Sequence, residues 1–145
     1  MSTMGSNVFE IMETCPETVK EFAFELPVNW GRIKIANIHI NFGKIETAFT
    51  LYGKIGGYTR ALKDIGVGSS VGFNMFCVRG TSMNNPRFAT GMTVHLISAD
   101  SALPTLSSAS NTNASANSKA LAFYSSTDGV LLPEGTIIQV WGVYE

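Results

Sequence analysis

Apolar and polar residues alternate most regularly over positions 136–144. Ile138, Val140, Gly142 and Tyr144 share one side of an extended chain, and Ile137, Gln139, Trp141 and Val143 share the other. A Pro133-Glu134-Gly135-Thr136 corner precedes it and supplies the turn chemistry that launches a strand. This pattern predicts a strand built into a sheet, with both faces largely covered.

The same reading predicts further short strands. Residues 8–12 form one, and residues 19–26 another, in which Phe22, Phe24 and Leu26 oppose a face carrying Glu21 and Glu25. Residues 32–42 give the clearest signal, with Ile33 and Ile35 on one parity and Ile38, Ile40 and Phe42 on the other. The phase slips at Ala36-Asn37, as a β-bulge requires. A turn at 41–44 makes a hairpin to a strand over 46–52. The glycine-rich stretch 53–72 has room for one helical turn at 60–64. Residues 71–79 are a dense apolar strand, 80–86 a loop, and 87–90 and 92–98 two strands broken by Gly91. Residues 100–118, dominated by Ser, Ala, Asn and Thr, read as a long exposed loop. A strand over 119–124 and a turn over 125–129 complete the series.

About eight or nine short strands with glycine-rich turns predict an all-β protein, a jelly-roll-like two-sheet β-sandwich. The sandwich occupies residues 18–145 as a single domain, and residues 1–17 are an N-terminal arm or an edge strand. The pattern leaves strand order open.

Composition changes this picture in one respect. Charged residues are 14% of the 145, against about a quarter in an average soluble domain, while 45% are hydrophobic. A surface so short of charge points to subunit contacts, and a homo-oligomer is expected. A net charge of −1 gives no steering toward nucleic acid or an acidic membrane. No basic segment followed by an apolar run opens the chain, and no apolar run reaches membrane-spanning length. Cys15 and Cys77 make no CxxC pair and are expected as reduced thiols.

Candidate chemistry is thin. Gly66-Val67-Gly68-Ser69-Ser70-Val71-Gly72 imitates a dinucleotide-binding loop, but its third glycine comes one residue late and a strand follows where a helix N-terminus is needed. His39 and His95 lie mid-strand without a third ligand at useful spacing, so no metal is expected. Cys77, between Phe76 and Val78, reads as a packing residue with a raised pKa and not as a nucleophile. Glu21 and Glu25 read as a solvated strand face, not a glycosidase pair. Asn113-Ala114-Ser115 matches the glycosylation sequon by chance. Trp141 and Tyr144 lie on opposite parities, so one of them at most joins a sugar-stacking platform. No enzymatic activity and no cofactor are expected.

A small, weakly charged, Gly/Ser/Asn-rich all-β chain with an LPEGT turn and a closing TIIQVWGVYE strand resembles the accessory virion proteins of tailed bacteriophages. It is similar in style to capsid decoration (cement) proteins and to the head domains of baseplate or tail-fibre proteins. The resemblance spans the whole chain and carries over no residue by position. It implies a homo-oligomer, often a trimer, that binds the major capsid protein on the outer surface of a phage head and stabilises it, without nucleic acid or membrane as partner. A short chain from Met1 with no coiled-coil or collagen-like part reads as a stand-alone decoration protein. The polar tip followed by Val8, Phe9, Ile11 and Met12 marks a candidate docking arm, unless these residues form the first edge strand. The alternative is a tail or baseplate module that binds a receptor glycan through the 100–118 loop and nearby aromatics.

Overall fold

In the computed structural model of the chain, the described residues are 7–80, 86–96 and 108–145, with the backbone alone for 95–96 and 108–111. Ten strands make up this part: β1 (Val8–Thr14), β2 (Glu21–Glu25), β3 (Ile33–Asn41), β4 (Phe49–Ile55), β5 (Tyr58–Ile65), β6 (Val71–Arg79), β7 (Arg87–Leu96), β8 (Ser108–Asn113), β9 (Ala120–Ser125) and β10 (Ile137–Tyr144). One short 3-10 turn, Trp30–Arg32, precedes β3.

The strands form two antiparallel sheets, ordered β1-β10-β3-β6-β7-β8 and β2-β9-β4-β5. Without β7 and β8 this is the strand order of an eight-stranded jelly roll, in which successive strands alternate between sheets except at the β4-β5 hairpin. The β7-β8 hairpin is inserted between β6 and β9 and widens one sheet only.

The core lies between the sheets because one parity of each strand points there. Ile38, Ile40, Phe73, Met75, Ile138 and Val140 come from the six-stranded sheet; Leu51, Ile55, Leu121 and Phe123 meet them from the other. Trp30 is fully buried, stacks edge-on with Phe88 at 5.5 Å and donates its indole N–H to the Ala120 carbonyl at 2.9 Å. The corner before β10 is held by Thr136, whose hydroxyl donates to the Pro133 carbonyl at 2.7 Å and accepts from the Gly43 amide at 3.2 Å.

Several expected elements are corrected. The bulge in β3 lies at Lys34, where the register opposite β10 jumps from Ile35 to Ile33, and not at Ala36-Asn37. The chain from 41 to 44 is no hairpin, because β3 and β4 belong to different sheets. Residues 60–64 are strand, not helix, since β5 returns on β4 through Gly56-Gly57, whose φ values of 57° and 89° make a two-residue hairpin turn. Gly91 does not break β7, which runs through it, paired with Phe76 on one side and Ala109 on the other. Within the expected loop 100–118, residues 108–113 form β8, and residues 114–118 are pinned by backbone bonds to Gly56, Pro86, Trp30 and Gly31. The first part of that loop and the core of the 80–86 loop lie outside the described residues. The closing strand covers one face only, for Ile138 and Val140 are fully buried while Trp141 is exposed.

Candidate functional site

Register places residues of neighbouring strands in rows across the outward face of the six-stranded sheet. One row reads Val8, Val143, Ile35, Val78 and Ala89, from β1 across to β7. The next reads Glu10, Trp141, Asn37, Phe76 and Gly91. A third reads Met12, Gln139, His39, Asn74 and Thr93. Five large apolar side chains here are unusually open, from 40% exposed at Val78 to 62% at Met12, with Val8, Phe76 and Trp141 between.

Among the described residues in these rows, Glu10 is the one carboxylate and His39 the one imidazole, and no Lys or Arg is present. Lys34, left unpaired by the bulge, is exposed at the border, where the Arg79 guanidinium also meets the Glu145 carboxylate at 3.0 Å. In the middle of the face, Glu10, Asn37, His39, Asn74, Gln139 and Trp141 line a shallow groove of about 330 Å³.

The outward face of the four-stranded sheet is different. Glu21, Glu25, Lys54 and Asp64 spread over it, and Lys54 pairs with Glu21 at 2.5 Å while lying over the Tyr124 ring. The hydrogen bond and charge of Glu21 raise the Lys54 pKa. Tyr52 and Tyr124 stack at 5.5 Å, and Thr50 donates its hydroxyl to Asp64 at 2.9 Å. This is the pattern of a face kept in water.

The structure divides the four candidate docking residues. Residues 8–14 form an edge strand paired with β10 along its whole length, so they are not a free arm. Phe9 turns inward into the core and Ile11 packs against it, while Val8 and Met12 look outward on the open face. His39 lies on β3 and His95 on β7, and β6 runs between these strands, which places them roughly 10 Å apart. Among the described residues no three His, Cys, Asp or Glu side chains gather to hold a metal ion. Cys15 and Cys77 are both buried free thiols, and loss of solvent pushes Cys77 up to about 12. Glu21 and Glu25 sit on the solvated face. No described helix is long and apolar enough to cross a membrane.

Sequence reasoning did not single out Phe76, Val78, Asn37 or Asn74. The signal was present in β6, where Met75, Phe76, Cys77 and Val78 follow one another without the polar alternation of a half-solvated strand, the pattern of a strand covered on both sides. Comparison with protein-family models, curated proteins and solved structures finds no match for this chain.

Proposed function

We propose that this protein works by association and not by catalysis, as a capsid decoration protein that binds the outer surface of a phage head and stabilises it. The observation that carries this reading is the outward face of the six-stranded sheet, where Trp141, Phe76, Val78, Val8 and Met12 stand exposed with Glu10 as the one acid beside them. An apolar face of this kind gains free energy when it is covered, at about 25 cal/mol per Å². A protein that binds the assembled shell and not its free subunits stabilises the shell by mass action. Repetition around a symmetric particle multiplies modest contacts into avidity. Jelly rolls serve in capsids and in lectins alike, so the fold supports this role by analogy alone. The major capsid protein is the proposed partner and the outside of the virion the proposed location.

Heads prepared with and without the protein test the proposal. Heads lacking it should release their contents at a lower temperature, and adding the protein back should restore resistance. Equal heat resistance of the two would refute it. One observation favours a second reading, a glycan-binding tail module: in the central groove an exposed tryptophan stands beside three side-chain amides and a carboxylate, the groups that bind sugars. Glycan-array binding lost in Trp141→Ala would favour that reading.

A further inference from the structure

We infer that a pocket at the flank of the sandwich, where the start of β5 meets the start of β7 and the end of β8, binds a small oxyanion, the phosphate or carboxylate group of a compact polar ligand. Tyr58, Thr59, Arg60, Arg87, Thr112 and Asn113 line it, around a volume of about 320 Å³. It stands apart from the proposed head-binding groove, because β8 is four strands from β10 across the sheet, roughly 19 Å.

The walls come from three segments far apart in sequence, and the backbone ties them together. The Ser115 amide donates to the Gly56 carbonyl at 3.0 Å, just before Tyr58, and the Ala114 amide donates to the Pro86 carbonyl at 3.0 Å, just before Arg87. Arg87 and Asn113 are direct partners in register. A pocket fixed in this way asks little ordering of itself when a ligand arrives.

Charge gives the sign of the ligand. Two arginines line the pocket, and among the described residues no Asp or Glu does. Elsewhere cations are matched by acids: Lys44 by Glu46, Lys54 by Glu21 and Arg79 by Glu145. Arg87 is held instead by a neutral group, its Nε donating to Asn113 Oδ1 at 3.1 Å. That bond orients the guanidinium without cancelling its charge. Arg60 is half-buried, where a charge acts through a lower effective dielectric than in open water.

Guanidinium geometry gives the group that binds. Its planar fork of N–H donors matches the paired oxygens of a carboxylate or a phosphate. The Thr59 hydroxyl lies beside it, and the Asn113 carboxamide, whose oxygen serves Arg87, keeps its N–H donors for ligand hydroxyls. Tyr58, 43% exposed, adds a ring with a polar tip. The volume falls at the lower end of small-molecule sites, about 300–1,000 Å³, which suits one sugar phosphate or sugar acid.

NMR titration of the full chain tests the inference, with glucose 6-phosphate, glucuronate and neutral glucose as probes. The amide signals of residues 58–60, 87, 112 and 113 should shift with the acidic sugars and stay still with glucose. The tighter of the two acids tells phosphate from carboxylate. Arg60→Gln and Arg87→Gln should each weaken binding at least tenfold. Arg87→Lys should weaken it nearly as much, because an ammonium keeps the charge but lacks the fork. Lys44→Gln, which removes an exposed charge elsewhere, should leave it unchanged. Circular dichroism and thermal melts check that each variant is folded, and either glutamine variant suffices should the other misfold. No shift with either acid, shifts spread over the surface away from these residues, an equal response to glucose, or equal weakening by Lys44→Gln overturns the inference. The titration involves no phage heads, so its failure leaves the proposed function standing, and failure of head protection leaves the pocket standing.

Discussion

The ring of Phe9 sits beside the bare Cα of Gly142, on the neighbouring strand, in the space that any side chain at 142 would need. The two residues are directly paired in register, so the fit joins β1 to β10 through a side chain as well as through the backbone. Phe9 also meets Tyr144 at 6.2 Å between ring centres. Gly142→Ala is therefore expected to destabilise the protein by about 1–3 kcal/mol through overpacking. Phe9→Ala is expected to cost about 3 kcal/mol. Because the two compete for one space, the double variant should lose less than the sum of the singles. Urea unfolding of the four proteins gives the coupling directly.

The Gly56-Gly57 turn separates two causes of glycine preference. Both residues have positive φ, but a side chain at 57 would enter open space, while one at 56 would strike Ala114. Gly57→Ala is expected to cost about 1–2 kcal/mol, the backbone penalty alone. Gly56→Ala should cost more, because Ala114 is fully buried and the segment behind it is pinned by the Ser115 amide, which donates to the Gly56 carbonyl. Thermal melts of the two variants rank them.

Burial raises the Cys77 thiol from its ordinary 9.0 to about 12, with the Arg60 charge acting weakly in the other direction. The folded value lies above the unfolded one, so the folded state holds the proton longer. The stability this contributes is whole below pH 9 and is lost as pH climbs from 9 toward 12. The decline is at most about 1.4 kcal/mol per pH unit. Cys77→Ala should be less stable at neutral pH yet show a shallower loss between those limits in urea titrations. A thiol reagent at pH 8 should modify Cys77 only after unfolding.

β10 is paired on both sides, by β1 and by β3. Deleting residues 136–145 should abolish the cooperative melting transition, since it splits the six-stranded sheet. Deleting residues 1–14 removes an edge strand and Phe9 from the core, so the fold should persist with a melting temperature lower by roughly 10 °C. Calorimetry of both truncations checks the order.

What could be read from sequence follows from where the two faces of a strand lie. β3, β9 and β10 were legible because their apolar positions alternate or run together, and each of them has neighbours on both sides. β5 was not, and its register shows why. The chain shifts by one residue opposite Leu51 and Tyr52, which turns both Leu62 and Ile65 inward. A spacing of three is what a helix shows, so the bulge imitates a helical turn. β8 was illegible for another reason. Its Ser-Ala-Asn-Thr sequence pairs with β7 through the backbone, and backbone pairing leaves no mark on composition.

The open face was half legible. Low overall charge gave its existence, because a deficit of charge has to be located somewhere on the surface. Its position depended on strand order, which decides that Phe76 stands beside Asn37, and Asn37 beside Trp141. No local pattern carries that information. Val8 and Met12 were picked out for being apolar near the chain's start, and only pairing with β10 shows that Phe9 and Ile11 face the other way.

The pairing of β1 with β10 also sets a schedule. Val8 finds its partner, Val143, only after nearly all of the chain between them has been made. On a ribosome, β1 therefore waits without a neighbour, and β3 waits for the same final strand on its other flank. Contacts so distant along the chain make folding slow, and strands waiting with apolar edges open are the ones that aggregate. High-level expression at 37 °C should accordingly favour inclusion bodies, and slower synthesis in the cold should raise the soluble yield, by giving each chain time to close its sheet before it meets another.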